Sequence, residues 1–308
     1  VGDMVVTTGC AKLLADRGYK VSVLTGPVCK QMLAGADFLE QVYLYQPRMP
    51  LNALRAAGFD AVVDFDDVKT YERFKLLADL RPGCVIGFNK QEYKLYDHSI
   101  PFLDSSSHIS ARYKAVARLF GIEHPHYHYH LPGDAFERER VKTLLAQHKG
   151  SQLCIAINPF TASTDKDFCR HQVSALIERL YTLPYKISVV MVGHSEKIRQ
   201  LNLETALHLP DSNINSAVEI VRHCDLVITA DTAIVHIARA FDKPMVAVYN
   251  KRKLKDTGLP GYTIWAPGYD KARQIVCEET NVADMTIAAV WPAIKAQADA
   301  LIAPRQQA

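Results

Sequence analysis

Short apolar runs rich in β-branched residues alternate with helical stretches along almost the whole chain. That alternation restricts the fold more than any other feature of the sequence. In the first half, MVVTTGCAKLLADRG has helical spacing and ends at Gly18, placed as a C-cap. YKVSVLTG reads as a strand closed by Gly26, CKQMLAGA as a helix and LEQVYLYQ as a strand. MPLNALRAAGF then reads as a helix, DAVVDF as a buried strand, YERFKLLADLRPG as a helix and CVIGF as another strand. HISARYKAVARLFGI is a long amphipathic helix ending at Gly121. Such a series means βαβ units and a parallel sheet.

A polar, His-rich stretch and a charged helix, EHPHYHYHLPGDAFERERVKTLLAQHKG, interrupt the series. The alternation then restarts. LCIAINPF, KISVVMVG, DLVITA and PMVAVYN read as strands, and VSALIERLY, EKIRQLNLETA, AVEIVRHC and AIVHIARAF as helices. VADMTIAAVWPAIKAQADALI closes the chain as a helix, with Pro292 predicting a kink. The expectation is an α/β protein of two doubly wound domains, residues 1–132 and 133–308, facing a cleft. The last helix is placed to pack back on the N-terminal domain.

Composition sets the outer limits. The 308 residues, 48% of them hydrophobic and 22% charged, suffice for two domains with their own cores. A net charge of only +3 argues against a dedicated nucleic-acid binder and suits anionic substrates or an acidic membrane surface. Seven scattered cysteines without a CxxC pair read as free thiols of a reducing compartment. No run approaches the length of a membrane span and no signal peptide is visible. The chain therefore reads as cytoplasmic, or as peripheral on the cytoplasmic face of a membrane.

Three stretches place unusual polar residues at strand ends. In VGDMVVTT, Asp3 reads as a loop residue just before a helix, either a simple N-cap or a general base facing the cleft. In INPFTASTDKDFCRHQVSALIERL, the strand ends at Asn158 and Pro159, followed by Thr161, Ser163, Thr164 and then Lys166. Hydroxyls and a lysine at a strand end can hold a phosphate, and a solvated Ser/Thr turn is the plainer alternative. In DLVITADTAIVHIARAF, a buried strand runs into Asp231, Thr232 and Ala233, which open a helix carrying His236. Small residues at a helix start let backbone N–H groups approach an anion, whereas a lone histidine on an apolar helix is usually a core residue.

Together these stretches resemble glycosyltransferase family 9, the ADP-heptose:lipopolysaccharide heptosyltransferases. TADTAIVHIARAFDKPMVAVYN looks like that family's D-T-G-x-x-H signature, helix and strand, and GDMVVTT like its opening G-D-x-x-x-T segment. NPFTASTDKDFCRHQVSALI is similar to its phosphate loop, and VVMVGHSEK to the following strand and turn. The resemblance implies the GT-B architecture, with an N-terminal acceptor domain and a C-terminal nucleotide-sugar domain. It implies inverting transfer of a heptose from ADP-heptose to a hydroxyl of the lipopolysaccharide inner core. Asp3 would then be the general base. Lys166, Thr161, Ser163 and the helix start at Thr232 and Ala233 would stabilise the leaving pyrophosphate. Asp231 would contact the sugar, Glu196 the ribose, and His236 would order the loop or face the diphosphate. Family members carry a short strand upstream of the Gly-Asp, so the resemblance also implies that this chain lacks the first strand of the N-terminal sheet, roughly ten or more residues.

The implied acceptor is a phosphorylated glycolipid, for which Lys90, Lys94, Arg112 and Lys114 are candidate contacts, with peripheral contact to the inner membrane. No cofactor and no metal are expected. Asp64-Phe65-Asp66 has the letters of a DxD motif but lies in the acceptor half, and the alternating histidines of HPHYHYH lack supporting ligands. Two departures from the family pattern stand out: Ala233 replaces the usual glycine, and Asp165 and Asp167 flank the lysine. They leave open a sibling transferase using another nucleotide sugar, such as an N-acetylhexosamine donor, or a protein acceptor. A non-catalytic nucleotide-sugar-binding protein is the alternative from another class. A dinucleotide oxidoreductase is disfavoured, because no GxGxxG follows a strand.

Overall fold

Two layers of helices enclose a five-stranded parallel sheet in the C-terminal half, and two smaller parallel sheets form the N-terminal half. The computed structural model describes residues 1–102, 107–123, 126–148, 150–254 and 258–306. The N-terminal half runs α1 (Gly2–Ala15), β1 (Ser22–Thr25), α2 (Pro27–Met32), β2 (Gln41–Leu44), α3 (Asn52–Ala56), β3 (Ala61–Val63) and α4 (Tyr71–Leu80). It continues with β4 (Cys84–Phe88), β5 (His98–Ile100) and α5 (Ser110–Leu119). β1 pairs with β2, and β3, β4 and β5 form a second sheet in that order.

The charged helix of the linker is α6 (Ala135–Leu145), started by Asp134, whose side chain accepts the Glu137 N–H. It leads to β6 (Leu153–Asn158), α7 (Arg170–Tyr181), β7 (Ile187–Met191), α8 (Ser195–Leu201), α9 (Ile214–His223) and β8 (Leu226–Ala230). α10 (Ala233–Ala240), β9 (Met245–Tyr249), α11 (Gly261–Ile264), β10 (Ala272–Val276) and α12 (Ile287–Ile302) complete the chain. The sheet order is β10-β9-β8-β6-β7, all parallel.

Every residue of β7, β8 and β9 is buried, as a parallel sheet covered on both faces requires. Alternate residues serve opposite cores. Ala156, Val190, Val227, Met245 and Ala247 face α9 and α10, whereas Ile155, Ile157, Val189, Ile228 and Val246 face α7 and α12. The buried side of α12, Val290, Ile294, Ala298 and Ile302, belongs to the second core, and the helix contacts α7, β6, β8 and β9. The core face of the last helix thus serves the C-terminal sheet, where a return onto the N-terminal half was expected. α12 runs unbroken past Pro292, which stands near its start and forfeits one hydrogen bond, to the Ala288 carbonyl.

The two halves meet through helices. α1 packs on both α5 and α10, and α2 on α9. The Tyr127 hydroxyl donates to the Val6 carbonyl at 2.8 Å, and the His130 N–H to Thr8 Oγ1 at 2.9 Å, which ties the linker to α1. His124 and Pro125 of the His-rich run lie outside the described residues. Among the described residues no helix is long and apolar enough to cross a membrane.

Candidate functional site

The chain steps from β6 outward to β7 and then back across β6 to β8, so neighbouring loops diverge between β6 and β8. Such a switch point opens a crevice at the carboxyl ends of the strands. Three loops converge there. Asn158, the last residue of β6, sends Nδ2 to Thr229 Oγ1 and Thr232 Oγ1, each at 3.0 Å. Thr232 is in turn the N-cap of α10, its Oγ1 accepting the Ile234 N–H at 3.1 Å. The α10 N-terminus, with its partial positive charge, is therefore fixed beneath the loop that follows β6.

That loop carries Lys166 in a 3-10 turn, Thr164–Lys166. Lys166 Nζ lies 2.6 Å from Asp231 Oδ2. Burial pushes the Asp231 carboxyl up from its usual range, and the Lys166 ammonium opposes that shift. Asp165, beside Lys166, accepts from Ser163 Oγ and from Asn250 Nδ2 at 3.0 Å and forms an ion pair with Arg252, whose Nη1 lies 3.2 Å away. Burial alone would raise its carboxyl, but these donors hold it below the usual range. Asp167 accepts the Thr161 N–H at 2.6 Å and lies 3.7 Å from Lys197 Nζ. The two aspartates that looked anomalous beside the lysine are thus the struts of its loop.

Thr161 and Ser163 spend their hydroxyls inside the loop. Thr161 Oγ1 donates to the Ser163 carbonyl at 2.6 Å and accepts the Ser163 N–H at 2.9 Å. Beyond Thr161 a cavity of about 620 Å³ opens between the ends of β6 and β7, lined by Phe160, Thr161, Gly193, His194, Glu196, Lys197 and Gln200. Gly193 has φ +144°, and a Cβ there would stand 3.3 Å from the Phe160 ring, so glycine keeps the floor open. Glu196, in the first turn of α8, is exposed at the cavity wall.

His236 is buried between the rings of Tyr129 and Trp265, at centroid distances of 6.0 and 5.5 Å. It therefore supports α10 from within the core and does not face the crevice. The opposite edge of the crevice is the start of α1. A Cβ on Gly2 would meet His236 Cδ2 at 3.3 Å and Ala233 Cα at 3.6 Å, so the first turns of α1 and α10 abut. Asp3 is not a loop residue or an N-cap: it lies in the first turn of α1, exposed, and no side-chain cap bond starts that helix. Its carbonyl accepts from Thr7 Oγ1 at 2.8 Å and from the Tyr113 hydroxyl at 3.4 Å.

Residues 51–288 match the family model for glycosyltransferase family 9 (heptosyltransferase). The chain belongs to that family. A curated relative in Escherichia coli (strain K12), named "Putative lipopolysaccharide heptosyltransferase 4", is 24% identical over 96% of this chain and 84% of its own length. Among solved structures, E. coli ADP-heptose LPS heptosyltransferase II superposes with a TM-score of 0.78 at 17% identity, covering 99% of this chain and 96% of that one. A family 9 glycosyl transferase from Veillonella parvula also gives 0.78, at 15% identity, over 96% of this chain and 94% of that one. E. coli heptosyltransferase WaaC with ADP gives 0.71 at 16% identity, over 97% of this chain and 95% of that one. The fold is thus the two-domain GT-B architecture, and the protein is a glycosyltransferase.

In this family 9 enzyme the acceptor-half candidates separate by depth. Lys90 is fully buried, with Nζ 2.6 Å from Asp64 Oδ2 and a further bond to the Asp66 carbonyl. Its charge is spent within the fold, which corrects its assignment as an acceptor contact. Asp64 also accepts from the Tyr96 hydroxyl at 2.8 Å, and Asp66 pairs with Arg73 at 2.8 Å, so the DxD-like pair is part of the same network. Arg112 is buried between the rings of Phe88 and Phe102 and paired with Asp67 at 2.7 Å, with its Nε lacking a partner. Lys94 is exposed and Lys114 half-buried. Among the described residues no three His, Cys, Asp or Glu side chains gather as a metal site would need. Sequence reasoning missed Asn158, Asn250 and Arg252, whose roles arise only where distant loops meet.

Proposed function

We propose that this enzyme transfers a heptose from ADP-heptose to a hydroxyl of the lipopolysaccharide inner core, with inversion at the anomeric carbon. The names of its relatives support the substrates: an ADP-heptose LPS heptosyltransferase in E. coli and WaaC with ADP bound share its fold. The observation that carries the reading is the Lys166–Asp231 pair set beside the α10 N-terminus, with Asp3 next to the Gly2–Ala233 contact. Asp3 accepts the proton of the acceptor hydroxyl while its oxygen bonds to the anomeric carbon. The bond from that carbon to the phosphate oxygen breaks on the opposite side, and its electron pair leaves on ADP. Lys166 and the N–H groups opening α10 meet the charge that develops there. The 620 Å³ cavity takes the nucleoside, with Glu196 on the ribose. Asp231 contacts the sugar, and Thr161 and Ser163, whose hydroxyls are taken up within the loop, hold the loop that lines the diphosphate. Lys94 and Lys114 face a phosphorylated acceptor at the inner membrane's cytoplasmic side, whereas Arg112, buried and paired with Asp67, is not an acceptor contact.

The test is turnover with ADP-heptose and an inner-core acceptor, followed by mass spectrometry. Asp3→Asn is expected to lower kcat by about 10²–10⁴-fold with ADP affinity kept. Turnover with a UDP-sugar and none with ADP-heptose would overturn the donor assignment. Full activity of Asp3→Asn would leave Asp3 a surface residue of α1.

A further inference from the structure

The loop leaving β9 reads Asn250-Lys251-Arg252-Lys253 and emerges at the carboxyl edge of the sheet, beside the loop of Lys166. Lys251 pairs outward with Glu278. Arg252 turns the other way, onto Asp165 at 3.2 Å, with 51% of its side chain still exposed. Asn250 sets that direction. It is buried, its Nδ2 donates to Asp165 Oδ2 at 3.0 Å, and its Oδ1 accepts the Arg252 N–H at 3.2 Å. Lys166–Asp231 and Arg252–Asp165 are therefore two cation–carboxylate pairs, contributed by adjacent residues of one loop and by the loops after β8 and β9.

In the free protein each of these two cations already has its carboxylate, so the pairs present no net charge to an incoming diphosphate. Beyond what the N–H groups opening α10 supply, an anion gains from such a site by drawing a cation away from its carboxylate. Arg252 is the cheaper of the two to move. It is half in water, where an ion pair is weak. Asp165 keeps its bonds from Ser163 and Asn250 after Arg252 leaves. Its guanidinium also matches phosphate oxygens two at a time. We propose that Arg252 is a second cation for the donor's diphosphate, parked on Asp165 in the free enzyme, with Asn250 as its positioning residue. Asp165 is then a built-in competitor that weakens product binding and eases ADP release. The proposal rests on the nucleotide-sugar reading given above.

Calorimetric titration of the whole protein with ADP, with adenosine as control, tests it. Arg252→Ala is expected to weaken ADP about tenfold and leave adenosine unchanged. Arg252→Lys recovers part of the loss. Asp165→Asn, which keeps an acceptor for Asn250, tightens ADP several-fold, and adds nothing in the Arg252→Ala background. The proposal is overturned if Arg252→Ala binds ADP like the wild type, or loses ADP and adenosine alike. It is also overturned if Asp165→Asn tightens ADP equally with and without Arg252. Wild-type protein that binds UDP but not ADP sinks the donor assignment alone, and the same comparison is then read with UDP and uridine. Wild-type protein that binds neither sinks both.

Discussion

Lys90 has no exposed surface, and an ammonium is tolerated there only while its charge and donors are met inside the fold. Asp64 meets it at 2.6 Å, the Asp66 carbonyl accepts a second hydrogen bond from it, and the Tyr96 ring lies 4.9 Å below. Replacing one member of such a pair strands the other. Lys90→Met is expected to destabilise the protein by about 3–5 kcal/mol, toward the lower end because Arg73 still stands 3.5 Å from Asp64. The readout is the urea midpoint at an unchanged slope. Lys94→Ala, on the exposed side of the same segment, should shift stability by no more than about 0.5 kcal/mol. Equal midpoints for the two variants would mean that Lys90 is solvated and free to meet a ligand. From the sequence the two lysines look alike, because charge is written in the residue and depth is not.

At the scale of elements, α1 depends on a glycine in mid-helix. A Cβ at Gly9 would stand 2.5 Å from the His128 carbonyl oxygen and 2.7 Å from the Tyr127 ring. The carbonyl is backbone and cannot swing aside. Gly9→Ala is therefore expected to cost about 1–3 kcal/mol despite alanine's better helix propensity, seen as a lower melting temperature. A rise in melting temperature would show that α1 does not lie this close to the linker. Strands β6 to β9 of the larger sheet were legible because burial on both faces writes them as continuous apolar runs, as in DLVITA. The edge strands β5 and β10 were not, since His98, Ser99, Arg273 and Gln274 break up any such run. The start of α1 was misread because Gly2 and Asp3 are poor helix formers and look like loop. Asp231 and Thr232 were legible as polar residues closing the apolar strand DLVITA, and Lys166 as a basic residue among the hydroxyls that follow β6. Asn158 and Asn250 were not, because their partners stand 74 and 85 residues away and only the sheet order brings them together.

At the scale of the whole molecule, the joint between the halves is built around two neutral histidines. The His108 Nδ1 accepts the Ser110 N–H at 3.0 Å, so Nε2 carries the proton and donates across the joint to the Ala266 carbonyl at 2.8 Å. The Ile109 N–H bonds to the Ile264 carbonyl at 2.8 Å beside it. Burial, and then the Arg239 guanidinium, bring His108 down from 6.5 to about 4. Burial, with His108 and Arg239 nearby, brings His236 to about 3. Both values lie below those of the unfolded chain, so the unfolded state takes up protons first as pH falls. The stability these residues contribute is complete above about pH 6.5 and drains away below it, by up to ~1.4 kcal/mol per pH unit for each histidine, until their folded values are reached. Between pH 6.5 and 5, above the range where carboxylates dominate, unfolding free energy should fall along a slope approaching two protons. His108→Gln, which retains a donor for Ala266, should reduce that slope by about one proton. An unchanged slope in the variant would mean that His108 is already protonated in the native joint and would overturn this account.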